Sequence, residues 1–122
     1  MNPSKKTLVL GASENPDRYA NMAIRNLLNH GHEVLALGRK QTSTHGISIN
    51  TEQLAFENIH TITLYMNPQH QQAYYNYILS LKPQRVIFNP GTENDELEEL
   101  LKASEIPYME ACTLVLLNTG QY

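Results

Sequence analysis

Gly11-Ala12-Ser13 closes an apolar run, and a cation, Arg18, follows within two helical turns. Glycine permits a sharp turn, and the small neighbours leave room for a ligand to come close to the backbone. Beyond Pro16 the apolar residues Tyr19, Ala20, Met22, Ala23, Ile24, Leu27 and Leu28 recur at helical spacing. A helix that starts there aims its unpaired N–H groups and positive dipole end at the turn, so the natural chemistry is capture of an anion, above all a phosphate. Asn15 belongs to the same turn. Arg18, read as lying just inside the helix, opposes the dipole unless an anion sits nearby.

A second pair of cations, Arg39-Lys40, follows Gly38 at the end of the next apolar run. Dinucleotide enzymes place an acidic residue there to hold free ribose hydroxyls, whereas two cations suit a phosphorylated ribose. Both NADP and coenzyme A (CoA) carry one. The full dinucleotide fingerprint is absent: its three glycine places hold Gly11, Ser13 and Pro16, and proline lacks the N–H that a pyrophosphate would use. No Gly-Lys-Ser/Thr follows, which excludes the Walker loop.

These residues need a scaffold that brings loop ends together. The run Thr7 to Leu10 is aliphatic and β-branched without polar interruption, the pattern of a strand buried on both faces of a parallel sheet. Further strands are expected at Glu33 to Leu37, Thr61 to Met66, Arg85 to Asn89 and Ile106 to Glu110. Helices are expected from Pro68 to Leu81, with Ala73, Tyr74, Tyr77, Ile78 and Leu81 inward, and after Gly91, with Thr92 as N-cap and Leu97, Leu100 and Leu101 inward. The stretch Gln41 to Asn58 reads as loop, a small extended segment and one helical turn. Alternating strand and helix predicts a single α/β domain over residues 1–122, a Rossmann-like doubly wound fold of about five mostly parallel strands. In such sheets ligands sit at the carboxyl ends of the strands, near the switch in strand order.

With 122 residues the chain suffices for one core but not for a catalytic domain beside a cofactor domain. A net charge of −3 gives no basic excess, so no nucleic-acid partner is expected. No apolar segment approaches the roughly 20 residues of a membrane span. The basic start Met1 to Lys6 has no apolar core after it, and one cysteine excludes an internal disulfide, so a cytoplasmic protein is expected. The five histidines lack metal-ligand spacing. His30 falls at a helix C-terminus, where it can meet the dipole, and the acidic run from Glu93 to Glu99 reads as the exposed first turns of a helix. Tyr74, Tyr75 and Tyr77 could support a homodimer.

Val9-Leu10-Gly11-Ala12-Ser13-Glu14-Asn15-Pro16-Asp17-Arg18-Tyr19, followed by Leu28-Asn29-His30-Gly31-His32-Glu33-Val34, resembles the small stand-alone CoA-binding proteins, whose domain is similar to the N-terminal domain of the succinyl-CoA synthetase α subunit. Met66-Asn67-Pro68, Pro90-Gly91-Thr92-Glu93-Asn94 and Glu110-Ala111-Cys112 resemble its later turns. The resemblance implies that Gly11, Ala12, Ser13 and Arg18 line the pantetheine-diphosphate, Arg39 and Lys40 the nucleotide phosphates, and Met66 to Pro68 the cofactor wall. The turn containing Asn89, Gly91 and Asn94 completes the expected set. The chain departs from the family at Leu37-Gly38-Arg39, where Val-Asn-Pro is usual, and at Ala111, where arginine is usual.

Cys112 has mainly apolar neighbours and no adjacent cation, the setting of an inert thiol. The expectation is therefore a protein that binds CoA or an acyl-CoA without chemistry. The alternatives are an NADP-linked or acyl-transfer enzyme using Cys112, and a degenerate fold serving protein interaction.

Overall fold

Strand β1 (Thr7–Ala12) is buried along almost its whole length because both its faces are covered. Leu8 and Leu10 enter one apolar cluster, Val9 and Ala12 another on the opposite face. A computed structural model describes residues 3–122; Met1 and Asn2, from the basic N-terminal segment, lie outside the described residues. After β1 come α1 (Tyr19–Asn29), β2 (Val34–Gly38), β3 (Thr42–Thr44), β4 (Ile47–Asn50) and β5 (Thr61–Leu64). Then follow α2 (Pro68–Gln71), a 3₁₀ turn at Gln72–Tyr74, α3 (Tyr75–Leu81), β6 (Arg85–Phe88), α4 (Asp95–Ala103), β7 (Tyr108–Glu110) and α5 (Thr113–Asn118).

The strands form one sheet in the order β3-β4-β2-β1-β5-β6-β7, parallel except for the pairing of β3 with β4. The chain runs outward from β1 to β2 and β4, then returns to place β5 on the other flank of β1. The switch in strand order therefore lies between β1 and β5. Helices α1 and α5 cover one face through Ala20, Ile24, Leu27 and Leu117. Helices α3 and α4 cover the other through Tyr77, Ile78, Leu97 and Leu101.

Seven strands replace the expected five. The two extra ones arise where loop and a small extended segment were expected: His45 and Gly46 both have positive φ, 51° and 78°, and this two-residue turn closes a hairpin whose second strand is that extended segment. Ile49, almost fully buried, then pairs with Ala36 of β2. Residues 51–56 form no helical turn. The expected helix 68–81 is interrupted by the 3₁₀ turn, and Ala73 is exposed there. Thr92 does not cap the third expected helix. Asn94 does so, accepting from the Leu97 amide at 3.2 Å, while the Thr92 hydroxyl donates to the Asn89 carbonyl at 2.8 Å. Helix α5 was not expected at all.

The amino ends of the strands are closed by Tyr122. Its hydroxyl shares a 2.5 Å hydrogen bond with Thr7, and Arg85 stacks on its ring at 4.4 Å. Lys5 donates to the Tyr122 main-chain oxygen. His32, ring to ring at 5.0 Å, accepts from the Lys5 amide through Nδ1 at 3.0 Å. Burial, then the charges of Lys5, His30 and Arg85, hold His32 below its ordinary range. Burial and Arg85 do the same to His60. With folded values depressed, the unfolded chain takes up protons first, so this cluster stabilises the fold above about pH 6.5 and loses that contribution as pH falls. NMR titration should find both rings protonating below pH 6.5, and His32→Gln, which removes one of these titrations, should weaken the loss of thermal stability between about pH 6.5 and 5.

Candidate functional site

At the switch point the strand ends part and leave backbone groups without ladder partners. Gly11, at φ 92°, makes the irregularity at which the β1–β2 register shifts: pairing resumes at Ala12 with Gly38, while the pairing of β1 with β5 ends at Leu10. A Cβ on Gly11 would lie 2.8 Å from the Tyr65 carbonyl carbon and 3.0 Å from the Met66 amide nitrogen, so only glycine lets β1 and β5 stay this close. Gly38 answers the same need on the other side, since a side chain there would strike the Ala12 carbonyl.

Beyond the turn, Ser13 accepts from the Asn15 amide at 3.1 Å and Asn15 from the Asp17 amide at 2.9 Å, which shapes the loop into α1. Arg18 is the N-cap of α1 rather than its first inner residue. It makes no side-chain capping bond, and the first turn holds no acid. The Tyr19 and Ala20 amides therefore have no carbonyl one turn earlier to bond. Buried Asn21 ties the loop down: its amide donates to the Ser13 carbonyl at 2.9 Å and to Thr44 at 2.8 Å, and its oxygen meets His45 at 2.9 Å.

The carboxyl ends of β1, β2, β5 and β6 thus enclose a cleft of about 580 Å³, a size usual for small-molecule sites. Residues 11–14 and 18–20 form one wall, Arg39, Lys40 and Thr42 a second, Tyr65, Met66, Asn67 and His70 a third, and Pro90, Gly91 and Thr92 a fourth. A smaller hollow of about 290 Å³ adjoins it across Arg39 and His70, with Gln69, Ala73 and Tyr74 on its far side. Arg39 Nη2 lies 2.7 Å from the His70 ring nitrogens, so the two side chains bridge between both spaces. Lys40 pairs with Glu14 at 2.7 Å, and Thr42 donates to the other Glu14 oxygen at 2.7 Å. These contacts, the Lys40 hydrogen bond first, depress the Glu14 carboxyl and raise the Lys40 ammonium.

Of the residues expected from sequence, Gly11, Ala12, Ser13, Arg18, Arg39, Lys40, Met66 and Gly91 meet in this cleft. Asn15, Pro68, Asn89 and Asn94 do not line it, and each has a different task. Asn15 shapes the turn, and Pro68 starts α2. Asn89 is buried, donating to Thr63 at 2.7 Å and to the Leu64 carbonyl at 2.9 Å while accepting from the Thr113 amide at 2.8 Å. Asn94 donates to Gln71 at 2.9 Å and Tyr75 at 2.8 Å. Gln71 in turn donates to the Met66 and Thr92 carbonyls at 2.9 and 2.8 Å, fixing two cleft walls against each other. Nothing in the polar run Gln69-His70-Gln71-Gln72 marks Gln71 as fully buried. His70 was within reach of sequence reasoning, as a first-turn residue of the helix that follows β5.

Tyr65 lines the cleft from β5's end. The Tyr65 hydroxyl is buried without a hydrogen-bond partner; burial first, then nearby Cys112, push its ionisation up. Cys112 stands at the N-cap position of α5, makes no side-chain capping bond and does not line the cleft. Away from the cleft lining, on α4, Glu98 faces Glu110 of β7. Burial, then that neighbouring carboxyl, raise Glu98 to about 7.

The topology and the cleft define a Rossmann-like doubly wound α/β domain with its cleft at the switch point. The family model for a CoA binding domain matches residues 5–118, and the chain belongs to that family. None of the curated proteins matches it. The chain is similar to a crystallised uncharacterised protein at 52% identity, covering 99% of this chain and 100% of that one with a TM-score of 0.96. A Thermus thermophilus protein, at 24% identity, 98% and 91% coverage and TM-score 0.85, shares the fold. So does a hypothetical protein from Pyrococcus horikoshii OT3, at 23% identity, 95% and 83% coverage and TM-score 0.87. Among the described residues no helix is long and apolar enough to cross a membrane.

Replacing Gly11 by alanine imposes both the positive φ and the clash with β5, and should cost about 2–4 kcal/mol in urea unfolding. Glu98, raised when folded, stabilises at low pH and loses that contribution as pH climbs from 4.5 towards 7. Glu98→Gln should accordingly flatten the decline in thermal midpoint across that window.

Proposed function

We propose that the protein binds CoA or an acyl-CoA in the cleft at the switch point and performs no chemistry on it. One observation carries this reading: a glycine turn, the uncapped start of an 11-residue helix and the cations Arg18, Arg39 and Lys40 converge on one cleft within a CoA-binding family chain. The diphosphate would sit on the Gly11-Ala12-Ser13 turn, where α1 offers free amides, with Arg18 beside it. The ribose phosphate would lie towards Arg39 and Lys40, and Met66 would pack against the apolar parts of the cofactor.

The non-catalytic part of the reading rests on the lining itself. Cys112 stands outside it, and the His70 imidazole, which lines it, is engaged by Arg39. This disfavours acyl transfer through Cys112.

Calorimetric titration with CoA, 3′-dephospho-CoA and NADP tests the assignment. CoA should bind best, and Arg18→Ala or Arg39→Ala should each weaken it by about 10- to 100-fold, the worth of a charge-assisted hydrogen bond. Absence of binding by folded protein would overturn the reading, and tighter binding of NADP than of CoA would transfer the site to that cofactor.

A further inference from the structure

We infer that Glu14 sets how strongly the cleft favours a ribose-phosphate over an unphosphorylated ribose, acting as an internal anion that competes for Lys40 and Thr42. The inference rests on the CoA reading above and adds a determinant that the sequence did not reveal.

Glu14 departs from the rest of the cleft wall in its charge. Arg18, Arg39 and Lys40 supply cations, yet Glu14 puts a carboxylate among them from the phosphate-binding turn itself. That carboxylate is held on both oxygens, by the Lys40 ammonium at 2.7 Å and by the Thr42 hydroxyl at 2.7 Å. An ammonium and a hydroxyl converging on one anion are also the donors a phosphate monoester would use. Their partner belongs to the chain, so both donors are already engaged before any ligand arrives, although the Lys40 ammonium keeps two further N–H groups.

Geometry gives the contact a fixed frame. Thr42 opens the β3–β4 hairpin, and Asn21 clamps that hairpin to α1 and to the Ser13 carbonyl. The loop bearing Glu14 and the segment bearing Lys40 and Thr42 are therefore held against each other independently of the carboxylate. A phosphate reaching Lys40 either shares the ammonium with Glu14 or displaces it, and in both cases stays near its negative charge. Arg39 is placed differently, turned towards His70 across the cleft. It is free of that competition, so a ligand lacking the extra phosphate keeps its other contacts and gains no penalty from Glu14.

The contact is exposed, with side-chain accessibility of 44% for Glu14 and 74% for Lys40, so its effect is a modulation of affinity. The test measures the ratio of dissociation constants for 3′-dephospho-CoA and CoA by calorimetry in wild type, Glu14→Gln, Lys40→Met and the double variant. Glu14→Gln should raise the preference for CoA by about three- to fivefold. Lys40→Met should lower it and abolish the effect of Glu14→Gln in the double variant. An unchanged ratio in Glu14→Gln, with both ligands bound, overturns the inference alone. A fall in the ratio also overturns it and makes Glu14 a ligand contact. Failure of wild type to bind either ligand overturns the CoA reading as well.

Discussion

A parallel sheet must stop somewhere, and at its carboxyl edge the last peptide groups lose their ladder partners while still lying close to the core. Side-chain amides make up the deficit here. Asn89 bonds the Leu64 carbonyl and the Thr113 amide, Gln71 bonds the Met66 and Thr92 carbonyls, and Asn21 bonds the Ser13 carbonyl. Each has both a donor and an acceptor end, so each can join two loops at once. Removing one leaves buried polar groups unpaired, at about 1–3 kcal/mol per group. The cleft is what remains open once these bonds have tied its walls together.

That division of labour clarifies the charges. Amides with all their groups occupied hold the walls, and cations on the rim face solvent. The turn at Gly11 stands between the two systems: its geometry is forced by contact with β5, and its exposed side meets the helix start. Ligand binding and folding thus make demands on the same few residues, and the glycine satisfies both.

The fold was legible where burial acts on whole segments. An uninterrupted apolar run is hard to place except as a central strand, and β1 lies there. The glycine turn and the cations at Arg18 and Arg39 could likewise be read, because helix polarity and phosphate chemistry both depend on residue type at short range. In residues 42–50 a small extended segment was read but its pairing as a hairpin was not, because the strands are short and held by pairing with β2 rather than by propensity; His45-Gly46 was the local signal of the turn. Asn89 and Asn94 were legible as polar residues in a turn but not as buried ones, since their partners come from β5, α2 and α5. Glu14 and Lys40 lie 26 positions apart and meet only because β1 and β2 are neighbours.

The central place of β1 also governs the order in which the molecule can be assembled. Its partner β2 follows after one helix, a local pairing that closes at modest entropic cost. Its other partner, β5, comes only after the hairpin and the long turn that follows it, and β6 and β7 are stacked outward from there. During synthesis the first half of β1's hydrogen bonds can form early, while its second edge waits, unpaired and apolar, for a strand made much later. Non-local pairing of this kind slows folding. The same strand that anchors the finished sheet is thus the one most exposed to wrong partners while the chain is incomplete.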